Sequence, residues 1–123
     1  MIESFEALIL FLQVQLTPEE RAGGVAYAAH RAVPAGTKLE FPGIVIDVPM
    51  EAYIAFIDRQ PSANWGHPAR YVLVSRETGG VRSMNTRLPP FGQGGDLQWR
   101  VIYKAPSVPE AAVAVTRDRK SVV

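Results

Sequence analysis

The 123-residue chain contains no cysteine, which excludes disulfides, thiolate nucleophiles, zinc–thiolate sites and iron–sulfur clusters. Histidine is almost as scarce: His30 and His67 are the only two, too few for a multi-histidine metal centre. Neither sign of charge dominates. Thirteen basic and twelve acidic residues leave a net charge of +1, so no global field draws the chain to nucleic acid or to an anionic membrane. Long apolar runs are missing as well. Ala7–Leu12 falls far short of the roughly 20 residues of a membrane span, and Glu3 and Glu6 stand where a secretory leader carries Lys or Arg. The run therefore reads as core, and a cytosolic location is compatible with the chain and slightly favoured. There is no G-x-S-x-G elbow and no H-E-x-x-H helix, and the glycines at Gly92–Gly95 lack the Lys-Ser/Thr of a phosphate loop. No cofactor and no metal are expected.

What is present is turn chemistry and apolar sequence. Ten glycines and ten prolines favour short strands over long helices, and 47% hydrophobic residues suit one folded domain spanning 1–123. The charged end, 117–123, reads as a mobile tail.

Near the start, Phe5, Leu8, Ile9, Leu12 and Leu16 recur at helical spacing, while Leu10, Leu12, Val14 and Leu16 alternate with Gln13 and Gln15 as in a strand. The polar alternation favours a strand over 8–16. Thr17, Pro18 and Glu20 make a capping box with proline at the first helical position. It opens a short helix near residues 18–32, with Ala22, Val25, Ala26, Ala29 and Val33 as its apolar stripe and a bend at Gly23-Gly24. From Lys38 the pattern is strand-like. Ile44, Ile46 and Val48 alternate with Val45 and Asp47, and Ala52–Asp58, apolar on both faces, belongs at the centre of a sheet. Arg70–Leu88 reads as a hairpin around Glu77–Gly80, with Arg76 facing Val81, Leu73 beside Met84 and Val72 beside Asn85. In Leu97–Tyr103 the alternation puts Leu97, Trp99, Val101 and Tyr103 inward. Ala111–Val115 fits a last strand or a short helix. The expected fold is α+β and mostly β: a single antiparallel sheet, or a small sandwich or barrel, of about six strands with one short helix.

Within Tyr71–Val81, the strand, Thr-Gly turn and second strand resemble the hairpin of PepSY-type propeptide domains. That resemblance implies a domain that inhibits or chaperones an associated peptidase. It carries over no functional residue, and a proline-rich loop at Gln60–Ala69 replaces the family's preceding helix.

The candidate site is that loop. Trp65 offers a large ring for stacking or for anchoring a partner, and Asn64 can fold onto its own backbone in a turn. His67, made extended by Pro68, lies within reach of Asp58, and Arg70 follows on the next strand. Ser62 has no local base. His30 falls off the helical stripe and is expected in solvent. The leading expectation is a non-enzymatic binding or protein-interaction module that presents the loops 60–69 and 88–95, with Trp65, His67, Asn64 and Arg70 as contact residues. Two alternatives stand beside it. One is a small enzyme or small-molecule binder using His67 with Asp58 and Arg70; the other is a homo-oligomer joined through sheet edges.

Overall fold

The computed structural model describes residues 1–63, 66–91 and 97–113. Seven strands follow two helices: α1 (Phe5–Gln15), α2 (Pro18–Gly23), β1 (Val25–Ala29), β2 (Lys38–Phe41), β3 (Ile44–Asp47), β4 (Ala52–Asp58), β5 (Ala69–Ser75), β6 (Val81–Thr86) and β7 (Trp99–Lys104). Five of them form an antiparallel sheet in the order β6-β5-β4-β1-β7, and β2 and β3 pair separately. The fold is α+β and mostly β, with no closed barrel among the described residues.

Every residue of β1, β4 and β5 is buried, because both faces of the sheet are covered. Ala26, Ala55, Ile57, Val72 and Val74 pack on one side against Leu8, Leu12 and Leu16. Tyr27, Ile54, Phe56, Tyr71 and Leu73 pack on the other against Leu39, Ile46 and Val48 of the β2–β3 layer. β4 is central, as its two-sided apolar sequence requires.

Residues 5–15 are a helix, not the expected strand. Ser4 caps it by accepting the Ala7 amide at 3.0 Å. Helical spacing delivers Leu8 and Leu12 to the sheet, and Gln13 faces β7, where its amide donates to the Ile102 carbonyl at 3.1 Å. The glutamines that mimicked strand alternation are thus compatible with a helix whose outer side is also apolar.

The capping box at Thr17 and Glu20 forms as the residues dictate, but α2 stops at Gly23. Gly24 turns extended (φ −107, ψ 175), and of the rest of the expected helical stripe Val25, Ala26 and Ala29 become part of β1, while Val33 bridges to Ala52. Val25, Tyr27 and Ala29 then serve one core and Ala26 and Ala28 the other. His30 consequently leaves a strand end. It is half-buried beside Phe5, with ring centroids 4.8 Å apart, and not in solvent.

The 70–88 hairpin forms, two residues out of the expected register. The loop keeps four residues but is Arg76–Gly79, closed by the Ser75 amide on the Gly80 carbonyl at 2.9 Å, with Gly79 at φ +77. Leu73 therefore faces Arg82, and Val72 faces Ser83. A slip of two preserves which side each residue points to. In β7 a bulge opposite Ala26/Tyr27 interrupts the alternation: Ile102 is buried, and Val101, expected inward, is 40% exposed. Glu110–Ala112 is a single 3-10 turn that Val113 leaves in extended conformation; residues 114–115 of the expected last element and the 117–123 tail lie outside the described residues.

Candidate functional site

Among the described residues, the charged ones with the least solvent contact gather where β4 ends and β5 begins. The turn of α2 carries Glu20 beneath the sheet end, fully buried. One carboxylate oxygen, Oε1, accepts the Thr17 amide at 2.9 Å and Arg70 Nη2 at 2.9 Å. The other, Oε2, accepts Arg70 Nε at 2.8 Å and Arg59 Nε at 2.9 Å. Burial pushes the pKa of Glu20 up. The hydrogen bonds from Arg70, the Thr17 amide and Arg59, with the charge of Arg70, outweigh it and hold the group below its ordinary value. Arg70 has further partners: Nη1 donates to Ser83 Oγ at 2.9 Å and Nη2 to the Gln15 carbonyl at 3.2 Å. The anion held by Arg70 is thus the chain's own Glu20.

Asp58 and His67 meet on the other side of the sheet. Asp58 shares the parity of Ile54 and Phe56, whereas Arg70 shares that of Val72 and Val74. Asp58 Oδ1 lies 2.7 Å from His67 Nε2 and accepts the Gln60 amide at 3.0 Å. Both side chains are buried. This pair closes the loop leaving β4: the carboxylate fixes the first turn through Gln60, and the imidazole ties down the returning end. Of the sequence candidates, the structure brings His67 and Asp58 together and sets Arg70 apart on the opposite face. Asn64 and Trp65 lie outside the described residues.

Beside this end, Gly23, Gln60, Pro61, Ser62, Ala63 and the Ser107–Pro109 segment line a shallow cavity of about 450 Å3. Ser107 Oγ donates to the Ala22 carbonyl at 3.0 Å, joining that segment to α2. The second loop starts here too, since the Gly66 amide donates to the Arg87 carbonyl at 3.1 Å. Its aromatic residue turns inward: Phe91 packs edge-on to Tyr27, Phe56 and Trp99. Residues 92–95 of that loop lie outside the described residues. Among the described residues no cluster of three or more His, Asp or Glu side chains could hold a metal, and no helix is long and apolar enough to cross a membrane.

Sequence reasoning missed Glu20 and Arg59 as members of the site. Glu20 had a visible local role, the capping box, and nothing in its neighbourhood pointed to an arginine 50 positions away. The one usable signal is Arg70 itself, a cation in a run of otherwise apolar strand residues that needs a buried anion.

No protein-family model matches the chain, and comparison with curated proteins and with solved structures finds no match.

Proposed function

We propose that the chain is a non-enzymatic binding or protein-interaction module whose contact surface is the rim carried by the Gln60–Ala69 loop. The observation that carries this reading is where the chemistry lies. At this end of the sheet each buried acid is engaged within the chain, Asp58 by His67 and Glu20 by Arg70, while the adjoining concave face is lined by neutral residues, Gln60, Ser62 and Pro61 among them. Such an arrangement supplies rigidity beneath and a proline-stiffened, uncharged surface of mixed polarity above, which suits recognition without group transfer. Trp65 stands in the same loop in sequence and supplies the kind of ring that anchors partners. The PepSY-like hairpin points the same way, towards a domain that engages another protein.

A photo-crosslinking residue placed at Ser62 in the full chain, in cells that express it, tests the reading. The expected result is a discrete protein adduct at Ser62, absent from a control probe at Lys38 and lost on Trp65→Ala with an unchanged thermal midpoint. Equal labelling from both probes, or none from Ser62, overturns it.

One contact favours a second reading, a small enzyme or small-molecule binder using His67 with Asp58. At 2.7 Å, Asp58 is placed to orient the imidazole as an acid–base group is oriented. Under this reading a small ligand shifts the carbon-bound ring protons of His67 in NMR spectra, and Asp58→Asn weakens that response. A ligand screen that leaves those resonances unmoved removes it.

A further inference from the structure

The far end of the sheet, where β4 starts at Ala52, holds a separate cavity of about 220 Å3. At about 30 Å3 for each water-sized group, it has room for roughly seven such groups. Its inner side is apolar: Ala52 and Leu73 belong to the buried core, and Pro49, Met50 and Val81 surround them. The small side chain at Ala52 contributes to the space. Ser75 is no open polar contact, because its hydroxyl donates to Met50 Sδ at 3.0 Å and accepts the Thr78 amide at 3.2 Å.

Among the described residues that line it, one is charged. Arg82 sits directly opposite Leu73 across the β5–β6 pair, so its stem lies beside the apolar interior and its guanidinium at the mouth. It is exposed and joins no ion pair among the described residues. Among the described residues no acid lines the cavity, and Glu51, next to Met50, is taken up by Arg76 at 3.2 Å. A small apolar space with a single unpaired planar cation at its edge matches a ligand that joins a short hydrocarbon group to a carboxylate.

We infer that this cavity binds an apolar carboxylate, with the hydrocarbon against Ala52 and Leu73 and the carboxylate on Arg82. Two sources carry that chemistry, a free short-chain acid and the C-terminal residue of a peptide. The inference concerns the opposite end of the sheet from the Gln60 rim and does not depend on it.

The test is an amide-resolved NMR titration of the full chain with hexanoate, with hexan-1-ol, and with N-acetyl-alanyl-leucine as free acid and as C-terminal amide. Saturable shifts at Ser75, Gly80, Val81 and Arg82 are expected from hexanoate or from the peptide acid, the responding probe identifying the source. Hexan-1-ol and the peptide amide are expected to bind about tenfold more weakly, the scale of one charge-assisted contact. Arg82→Gln reproduces that loss and Arg82→Lys recovers part of it; at an exposed position neither disturbs the fold. Equal binding of the alcohol, indifference to Arg82→Gln, or no saturable shift from either acid overturns the inference.

Discussion

Arg70 grips Glu20 with two nitrogens, Nε at 2.8 Å and Nη2 at 2.9 Å, across 50 residues of sequence. The contact fastens α2 to β5 and brings Arg59, beside the loop, onto the same carboxylate. Removing one partner of such a buried pair strands the other charge. Arg70→Met is therefore expected to cost about 3 kcal/mol, and the Glu20→Leu/Arg70→Met double variant far less, because nothing is then left unpaired. Arg59→Met, at a partly exposed side chain with one contact, is expected to cost about 1 kcal/mol. Urea unfolding of the four proteins measures the series, and a double variant worse than Arg70→Met alone contradicts it.

The same carboxylate gives the fold an acid-sensitive component. Glu20 ionises more readily in the folded chain than at its ordinary value of 4.5. Its contribution is fully present above pH 4.5 and is lost as the pH falls through the lower folded value, since there the unfolded chain takes up a proton that the folded one resists. The slope from one such proton is at most about 1.4 kcal/mol per pH unit. Glu20→Gln is expected to unfold more easily at neutral pH and to show a flatter decline below 4.5. Parallel acid slopes for the two proteins would rule out Glu20 as the source.

Two adjacent glycines at the foot of this cluster are expected to respond in opposite directions. A Cβ on Gly24 would lie 2.8 Å from the Glu20 carbonyl oxygen and 3.0 Å from that of Asp58. Both are main-chain atoms of the site and cannot swing aside. Gly24→Ala should destabilise by about 2 kcal/mol. A Cβ on Gly23 meets nothing within 4 Å, and Gly23 is the last helical residue of α2, so Gly23→Ala should stabilise by about 0.5 kcal/mol. Thermal midpoints of the two variants on opposite sides of the parent are the expected reading.

Tyr71 carries a cost that can be relieved. Its ring stacks on Phe41 at 4.7 Å, and its hydroxyl is buried with no hydrogen-bond partner among the described residues. Burial alone raises the pKa of that hydroxyl well above the ordinary tyrosine value. Because an unsatisfied buried hydroxyl costs about 1–3 kcal/mol, Tyr71→Phe is expected to raise the unfolding free energy by about 1 kcal/mol. A loss of that size would mean that the hydroxyl has a partner.

The elements whose physics is local were legible in the sequence. The capping box of α2 needs only residues 17 to 20, and the two-sided burial of β4 follows from its unbroken apolar run. The hairpin announced itself by its glycine turn, although the choice between closing the loop at Arg76 or at Glu77 rests on Ser75, whose amide and hydroxyl both engage the turn. In the candidate site, Asp58 and His67 are close enough in sequence for their contact to be anticipated. Glu20 with Arg70 is a long-range pair, set by how α2 docks on the sheet, and no spacing rule reaches it. The same limit hid β1: Val25–Ala29 has helical and strand periodicity alike, and only its position between β4 and β7 decides.

The N-terminal segment allows the two readings of a sequence to be separated by experiment. As a strand, Leu10, Leu12, Val14 and Leu16 would share one face and tolerate substitution alike. As the helix α1, Leu8 and Leu12 point into the core, while Leu10 and Val14 stand 67% and 73% exposed. Leu8→Ala and Leu12→Ala are each expected to cost about 3 kcal/mol, from lost burial and the cavity left behind. Leu10→Ala and Val14→Ala should each stay within about 0.5 kcal/mol of the parent. Polar replacement sharpens the contrast: Leu10→Gln keeps a good helix former at an exposed position, whereas Leu12→Gln buries an amide with no partner provided for it. If Leu10 and Leu12 proved equally intolerant, α1 would have to bury its outer side as well, and the helix would be covered by something other than this sheet.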